Sequence, residues 1–257
     1  MKTALRSLLI LLGIVFNTFP AMSVAESFEQ KPLALVYSGK GICKGCDTSL
    51  ALAFREAGFR TEGVRPGNIT QANLERAAVF AVPGGDQELD VMLALFPGEA
   101  QIIKDYVTSG GHYLGVCLGS FLAAPVIINT PSPTSTLPSG LNLFNGRVFN
   151  HSETKEARIE PILWRPGTPN ASTRMMYFQD GPHFTLNDPR AVIWAQYQDG
   201  SIAAFQAPLG RGRVGLLGPH PEADETWWNE DPRHPLYDPD GKDTDLFIEF
   251  MDALIGN

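Results

Sequence analysis

The sequence predicts an α/β protein with a doubly wound, mostly parallel sheet over its first half and an antiparallel β extension over its second. Three observations point there. From Leu33 to about Ala124, short apolar runs alternate with amphipathic stretches, which is the rhythm of parallel strands joined by helices on both faces. Past residue 140 the texture changes to short strands separated by turn residues. The chain then closes on LFIEFMDALI (246 to 255), whose apolar positions fall on one helical face.

Taken in order, LALVYS (33 to 38) reads as a buried strand ended by Gly39 and Gly41. A helix should follow from about Asp47, which can cap it, to a stop at Gly58. FRTEGV (59 to 64) and AVFAVPGG (78 to 85) are the next strands, with a helical turn near Gln71 to Arg76 between them. A helix over Gly98 to Ser109 stops at Gly110-Gly111, HYLGV (112 to 116) is a fourth strand, and GSFLAA begins a helix that Pro125 cuts short. The segment TPSPTSTLPSG (130 to 140) is a loop by composition. After it, NLFNGRVFN, ARIEPILW, RMMYFQDG, AVIWAQYQDG, SIAAFQAP and GRVGLLG read as antiparallel additions to the same sheet, with Asp199-Gly200 as a hairpin turn. Too few residues remain for these strands to build an independent core, so one domain is expected.

Residues 1–25, MKTALRSLLILLGIVFNTFPAMSVA, place Lys2 and Arg6 before an apolar run from Leu8 to Phe16 and end in Ser23-Val24-Ala25. This reads as a cleaved export signal, and the run is short of the ~20 residues that span a bilayer. The domain then covers 26–257, with a periplasmic or secreted location and no stable membrane anchor expected. Removing Lys2 and Arg6 leaves 18 basic residues against 28 acidic ones, a net charge of −10. Nucleic acid and anionic membranes are poor partners for such a chain.

Three cysteines in an exported protein leave at least one thiol unpaired within the chain. Cys43 and Cys46 form a C-x-x-C close enough to pair, which leaves Cys117 over. No second Cys or His pair stands at ligand spacing, so no metal is expected, and no cofactor either. Cys117 lies in GVCLGS, where a strand turns into a helix between glycines. That is the pattern of a nucleophile elbow, which holds the side chain at the carboxyl end of the sheet with a helix N-terminus behind it.

A base is needed beside such a thiol. His112 begins the strand that Cys117 ends, roughly 16 Å away at 3.3 Å per residue, and is excluded. His151 and His234 sit in polar surroundings and are expected to be solvated. His183 follows a strand and can approach the site. His220, in GRVGLLGPHPEAD, comes directly after an apolar strand. Pro221 biases it towards an extended backbone, which would put Glu222 on the same side, where it can orient the imidazole. The tetrahedral intermediate of such chemistry needs N–H donors: Leu118 beside the nucleophile, with Gly84 and Gly85 at the end of the neighbouring strand. Asp86, Tyr177 and His183 are the next candidates for substrate contacts, and Trp227 and Trp228 for the pocket wall.

These segments together resemble the class I glutamine amidotransferase superfamily and, more narrowly, the biotin-protein ligase N-terminal domain family. The resemblance rests on LVYSGKGI, AVPGGD, GVCLGS, MMYFQDGPHF and GRVGLLGPHPE. It implies a flavodoxin-like three-layer sandwich, a Cys117, His220, Glu222 triad, and oxyanion donors near Gly84, Gly85 and Leu118. It implies no substrate. In the ligases this domain lies apart from the biotin-transfer machinery, and no ligase domain follows here, so biotinylation is not expected. Superfamily glutaminases work beside an ammonia-consuming synthase, which this chain lacks, so a small-molecule or peptide-like substrate other than glutamine is favoured.

Three readings stay open at this point. In the first the protein is a cysteine hydrolase of a C–N bond. In the second it is a catalytically idle binding module of the same fold. In the third it is a thiol-redox protein using Cys43 and Cys46, for which a structural disulfide is the simpler alternative.

Overall fold

A computed structural model describes residues 31–85, 88–95, 97–125 and 140–256, of which Lys31 onward form one compact unit. Residues 1–25, read above as an export signal, Asp86 and nearly all of the 130 to 140 loop lie outside the described residues.

The first half builds the parallel sheet. β1 (Leu33–Tyr37) pairs in parallel with β2 (Arg60–Val64) and with β3 (Val79–Val82). β3 pairs with β4 (His112–Val116), and β4 with β11 (Gly212–Leu217), again in parallel. Beyond β11 every pairing is antiparallel. β10 (Ile202–Leu209), β9 (Val192–Gln196), β6 (Arg158–Trp164) and β7 (Ser172–Phe178) follow in that order. A further pair, β5 (Gly146–Asn150) with β8 (Pro182–Leu186), joins at β10.

Helices cover both faces, and the strand alternation decides which residues meet them. Leu33, Leu35 and Tyr37 of β1 join one core; Ala34 and Val36 join the other. The first core takes Leu74 from α2 (Gln71–Glu75), Val91 from α3 (Glu88–Ala94), Ile103 and Val107 from α4 (Glu99–Thr108), and Phe121 and Leu122 from α5 (Leu118–Leu122). The second takes Leu50 and Phe54 from α1 (Cys46–Glu56) and Phe247, Phe250 and Leu254 from α6 (Thr244–Ile255). Phe54, Phe247 and Phe250 are fully buried, each contributing on the order of 1.5–3 kcal/mol. The three-layer α/β sandwich with an antiparallel extension is thus the fold.

Four local expectations are corrected. Asp47 does not cap α1: that helix starts one residue earlier on a left-handed Gly45, and the Asp47 carboxylate accepts from Thr48 N–H instead. α3 was not expected; its seven residues are too few to display a clear helical period, and Leu93 is exposed. Residues 182–186, which follow β7, form a strand of their own, β8. His151 is not solvated, because its ring stacks on Tyr197 at 3.5 Å between centroids.

The junction of β4 and α5 sets up everything at the carboxyl edge. Cys117 takes φ 48° and ψ −105°, and its N–H donates to Leu217 O on β11. Ser120 Oγ lies 2.8 Å from Gly115 O and 2.9 Å from Leu217 O, and it accepts from Leu217 N–H. Tyr113 Oη donates to Gly119 O at 2.7 Å. This stitching works only at close range, which explains two glycines. A Cβ on Gly115 would lie 2.5 Å from the Gly119 carbonyl, and one on Gly119 would overlap the Val82 carbonyl of β3. Gly119→Ala is therefore expected to destabilise the protein by about 1–3 kcal/mol through overpacking, read as a lower urea midpoint; an unchanged midpoint would refute this account of the junction.

Candidate active site

A cavity of about 290 Å³ opens at the carboxyl edge, and its wall includes Cys117, His220, Gly85, Asp180, Trp227 and the Cys43 and Cys46 sulfurs' residues. Each comes from a different segment, brought together by the order of strands in the sheet. Cys117 is free and almost fully buried. Its Sγ lies 3.6 Å from Gln179 O and 4.0 Å from Asp180 O, just past the end of β7.

His220 is buried after β11, with its N–H donating to Tyr177 O. Its Nδ1 lies 2.8 Å from Glu222 Oε1, and its ring also hydrogen-bonds the Cys117 side chain. Glu222 arrives by a different route from the one expected. Ala223 N–H bonds back to His220 O, so His220 to Ala223 is a tight turn rather than an extended segment, and the turn folds the carboxylate back under the ring. Burial alone would push the proton off His220. The Glu222 carboxylate and the hydrogen bonds to Cys117 and Glu222 outweigh it and raise the pKa to about 10.

The aromatic side chains brace this arrangement. Tyr177 meets the His220 ring at 5.7 Å and Trp227 at 5.2 Å, each nearly perpendicular. Trp227 Nε1–H donates to Ser49 Oγ, which donates in turn to Asp224 Oδ2. A residue of α1 thereby holds the tryptophan wall in place.

The two glycines differ in what they do. A Cβ on Gly84 would come within 2.8 Å of His220 Cε1, so Gly84 makes room for the imidazole. Gly85 lines the cavity and bridges to Ile42, and Cys43 N–H donates to Gly84 O at 3.2 Å. Leu118 is the first residue of α5, at the end of the helix where N–H groups lack intrahelical partners. Cys43 and Cys46 are paired as a disulfide with Cα atoms 5.4 Å apart.

Other expected residues fall elsewhere. Tyr177 lies behind His220 and donates its hydroxyl to Gln179 Oε1 at 2.9 Å. His183 is in β8, stacked on Phe149 and edge-on to His151, and does not line the cavity. Trp227 lines it, whereas Trp228 does not. Sequence reasoning missed Gln179, Asp180 and Lys155. Asp180 holds φ 49°, for which the Asp-Gly pair at 180 and 181 is a turn signal, and its Oδ2 pairs with Lys155 at 3.0 Å. Nothing local marks Lys155. Among the described residues, no cluster of three metal-ligating side chains occurs.

The fold is similar to that of solved glutamine amidotransferases. A glutamine amidotransferase from Thermotoga maritima matches with a TM-score of 0.61 at 15% identity, covering 89% of this chain and 100% of that one. The PurLQS structure from the same organism contributes a chain matched with a TM-score of 0.58 at 18% identity, covering 88% and 100%. Residues 33–243 match the family described as "Biotin-protein ligase, N terminal", and the chain belongs to this family. A biotin–protein ligase of Schizosaccharomyces pombe is 27% identical over 162 residues, covering 56% of this chain. The match spans only 25% of that ligase's length.

The carboxylate is what keeps the imidazole protonated, so Glu222→Gln should lower the His220 pKa from about 10. Histidine NMR titration reads this directly; a pKa that does not move would separate Glu222 from the charge on the ring. The raised value also carries a stability contribution, present below the unfolded value of 6.5 and lost as pH rises towards 10.

Proposed function

We propose that the protein is an exported, cysteine-dependent hydrolase of an amide or another C–N bond, acting through Cys117, His220 and Glu222. The observation that carries this reading is the position of one buried imidazole between the Glu222 carboxylate, at 2.8 Å, and the Cys117 side chain, in the wall of a cavity. Cys117 Sγ attacks the carbonyl carbon as a thiolate, its proton already held on the His220 ring that Glu222 keeps charged. The N–H groups of Leu118 and of Gly84 or Gly85 stabilise the oxyanion. His220 returns the proton to the leaving amine, and a water activated by His220 then cleaves the thioester. Glu222 holds the ring in one orientation and balances its charge throughout.

The size of the cavity, about 290 Å³, suits a small molecule or one side chain of a peptide-like substrate, near the lower end of ordinary ligand pockets. No metal or other cofactor enters these steps. The biotin–protein ligase similarity concerns a quarter of that enzyme, and biotin transfer is not part of this proposal.

The test is labelling of the mature protein by a thiol-reactive activity probe. Cys117→Ala should abolish labelling, and His220→Ala, which removes the group that holds the thiol proton, should slow it by about 100-fold or more. A Cys117 that alkylates no faster than an unfolded peptide would instead identify an idle binding module. Export is checked separately by the N-terminus of protein made with its leader: Glu26 is expected, and a retained Met1 would refute cleavage.

A further inference from the structure

All three cysteines of the chain meet at one cavity. Cys46, the first residue of α1, is buried, while Cys43 is partly exposed. A Cβ on Gly84 would lie 2.8 Å from His220 Cε1 and 3.4 Å from Cys46 Sγ. The disulfide and the imidazole thus approach the same face of Gly84. The imidazole in turn bonds Cys117 and holds a proton tightly. A disulfide that served only to staple the 41–46 loop would gain nothing from sharing a wall with a thiol and its base.

We propose that the Cys43–Cys46 disulfide is the intramolecular exchange partner of Cys117, so that the cavity is a three-sulfur thiol–disulfide centre. This rests on the reading of Cys117 as a nucleophile. In the exchange, Cys117 Sγ attacks Cys46 Sγ as a thiolate, its proton already held on His220. The Cys46–Cys117 bond forms as the Cys43–Cys46 bond breaks, and Cys43 leaves as a thiolate that takes a proton back from His220 or from water. One thiol is consumed and one released, so no external oxidant is needed. The exchanged form masks the nucleophile and moves the free thiol from buried Cys117 to the more accessible Cys43.

The experiment is a time course of iodoacetamide trapping on the mature protein without reductant, followed by non-reducing peptide mass mapping. Two products are expected: Cys117 alkylated with Cys43–Cys46 intact, and Cys43 alkylated with Cys46–Cys117 linked. If the second never accumulates, the proposal is overturned. A Cys43→Ser variant makes the same point without relying on trapping. In oxidised glutathione it should form the Cys46–Cys117 bond and lose at least tenfold in Cys117 alkylation rate, restored by dithiothreitol; separate glutathione adducts on the two cysteines would overturn the proposal. The Cys43→Ser/Cys46→Ser double variant tells the two readings apart. Fast alkylation of its Cys117 with no exchange in wild type removes only the exchange, whereas an unreactive Cys117 there removes the nucleophile reading itself.

Discussion

The backbone of Cys117 sits at φ 48° and ψ −105°, a region that an L-residue occupies at a cost of order 1–3 kcal/mol and keeps only where its surroundings dictate it. Here they do. The strand before it is pinned in parallel between β3 and β11, the helix after it is drawn against the strand by Ser120 and Tyr113, and two glycines remove the atoms that would hold the pieces apart. The strain turns the Cys117 side chain out of the sheet plane, towards the loops after β7 and β11. Without it the thiol would be one more buried apolar group on a central strand.

Everything else in the site is placed relative to that turn by strand order. His220 follows β11, hydrogen-bonded neighbour of β4, and Gly84-Gly85 follows β3, the neighbour on the other side. The candidate base and the oxyanion loop therefore flank the elbow because two parallel strands flank its strand. The antiparallel extension adds the third side: β7 ends in Gln179 and Asp180, whose carbonyls face the sulfur, and its Tyr177 carbonyl receives the His220 N–H. α1 adds the fourth, through the disulfide and through Ser49 beneath Trp227.

Legibility in the sequence followed the range of the interaction. The elbow was readable because its cause is local, two glycines around one cysteine, and His112 could be excluded because strand rise alone separates it from Cys117. The pairing of His220 with Glu222 was readable from spacing, although the backbone that achieves it is a turn and not a strand. Gln179 and Asp180 were not readable as cavity wall: they reach Cys117 across 62 and 63 residues through the register of a sheet whose strand order no local pattern encodes. His151 failed for the same reason. Its polar neighbours in sequence suggested solvent, while its partner Tyr197 lies far along the chain, just past the end of β9. The helix cap at Gly45 was missed because Asp47 carries the stronger propensity; the Cys43–Cys46 disulfide brackets Gly45 and closes the turn there.

The division of labour in the cavity follows from which segments are free to vary. The elbow, the imidazole and the glycine loop are held by parallel strands and by contacts too close to admit another atom, so the chemistry at the sulfur is set by the sheet. Lys155 is largely exposed and Asp180 belongs to a turn, and neither supports the core. Those outer residues can change without disturbing Cys117, which is how one fold can carry many different functions. The disulfide belongs to neither group. It sits on a short loop like the outer residues, yet Cys43 N–H and Ile42 tie that loop to Gly84 and Gly85. A change in its bonding state therefore bears on the glycines beside the imidazole as well as on the start of α1.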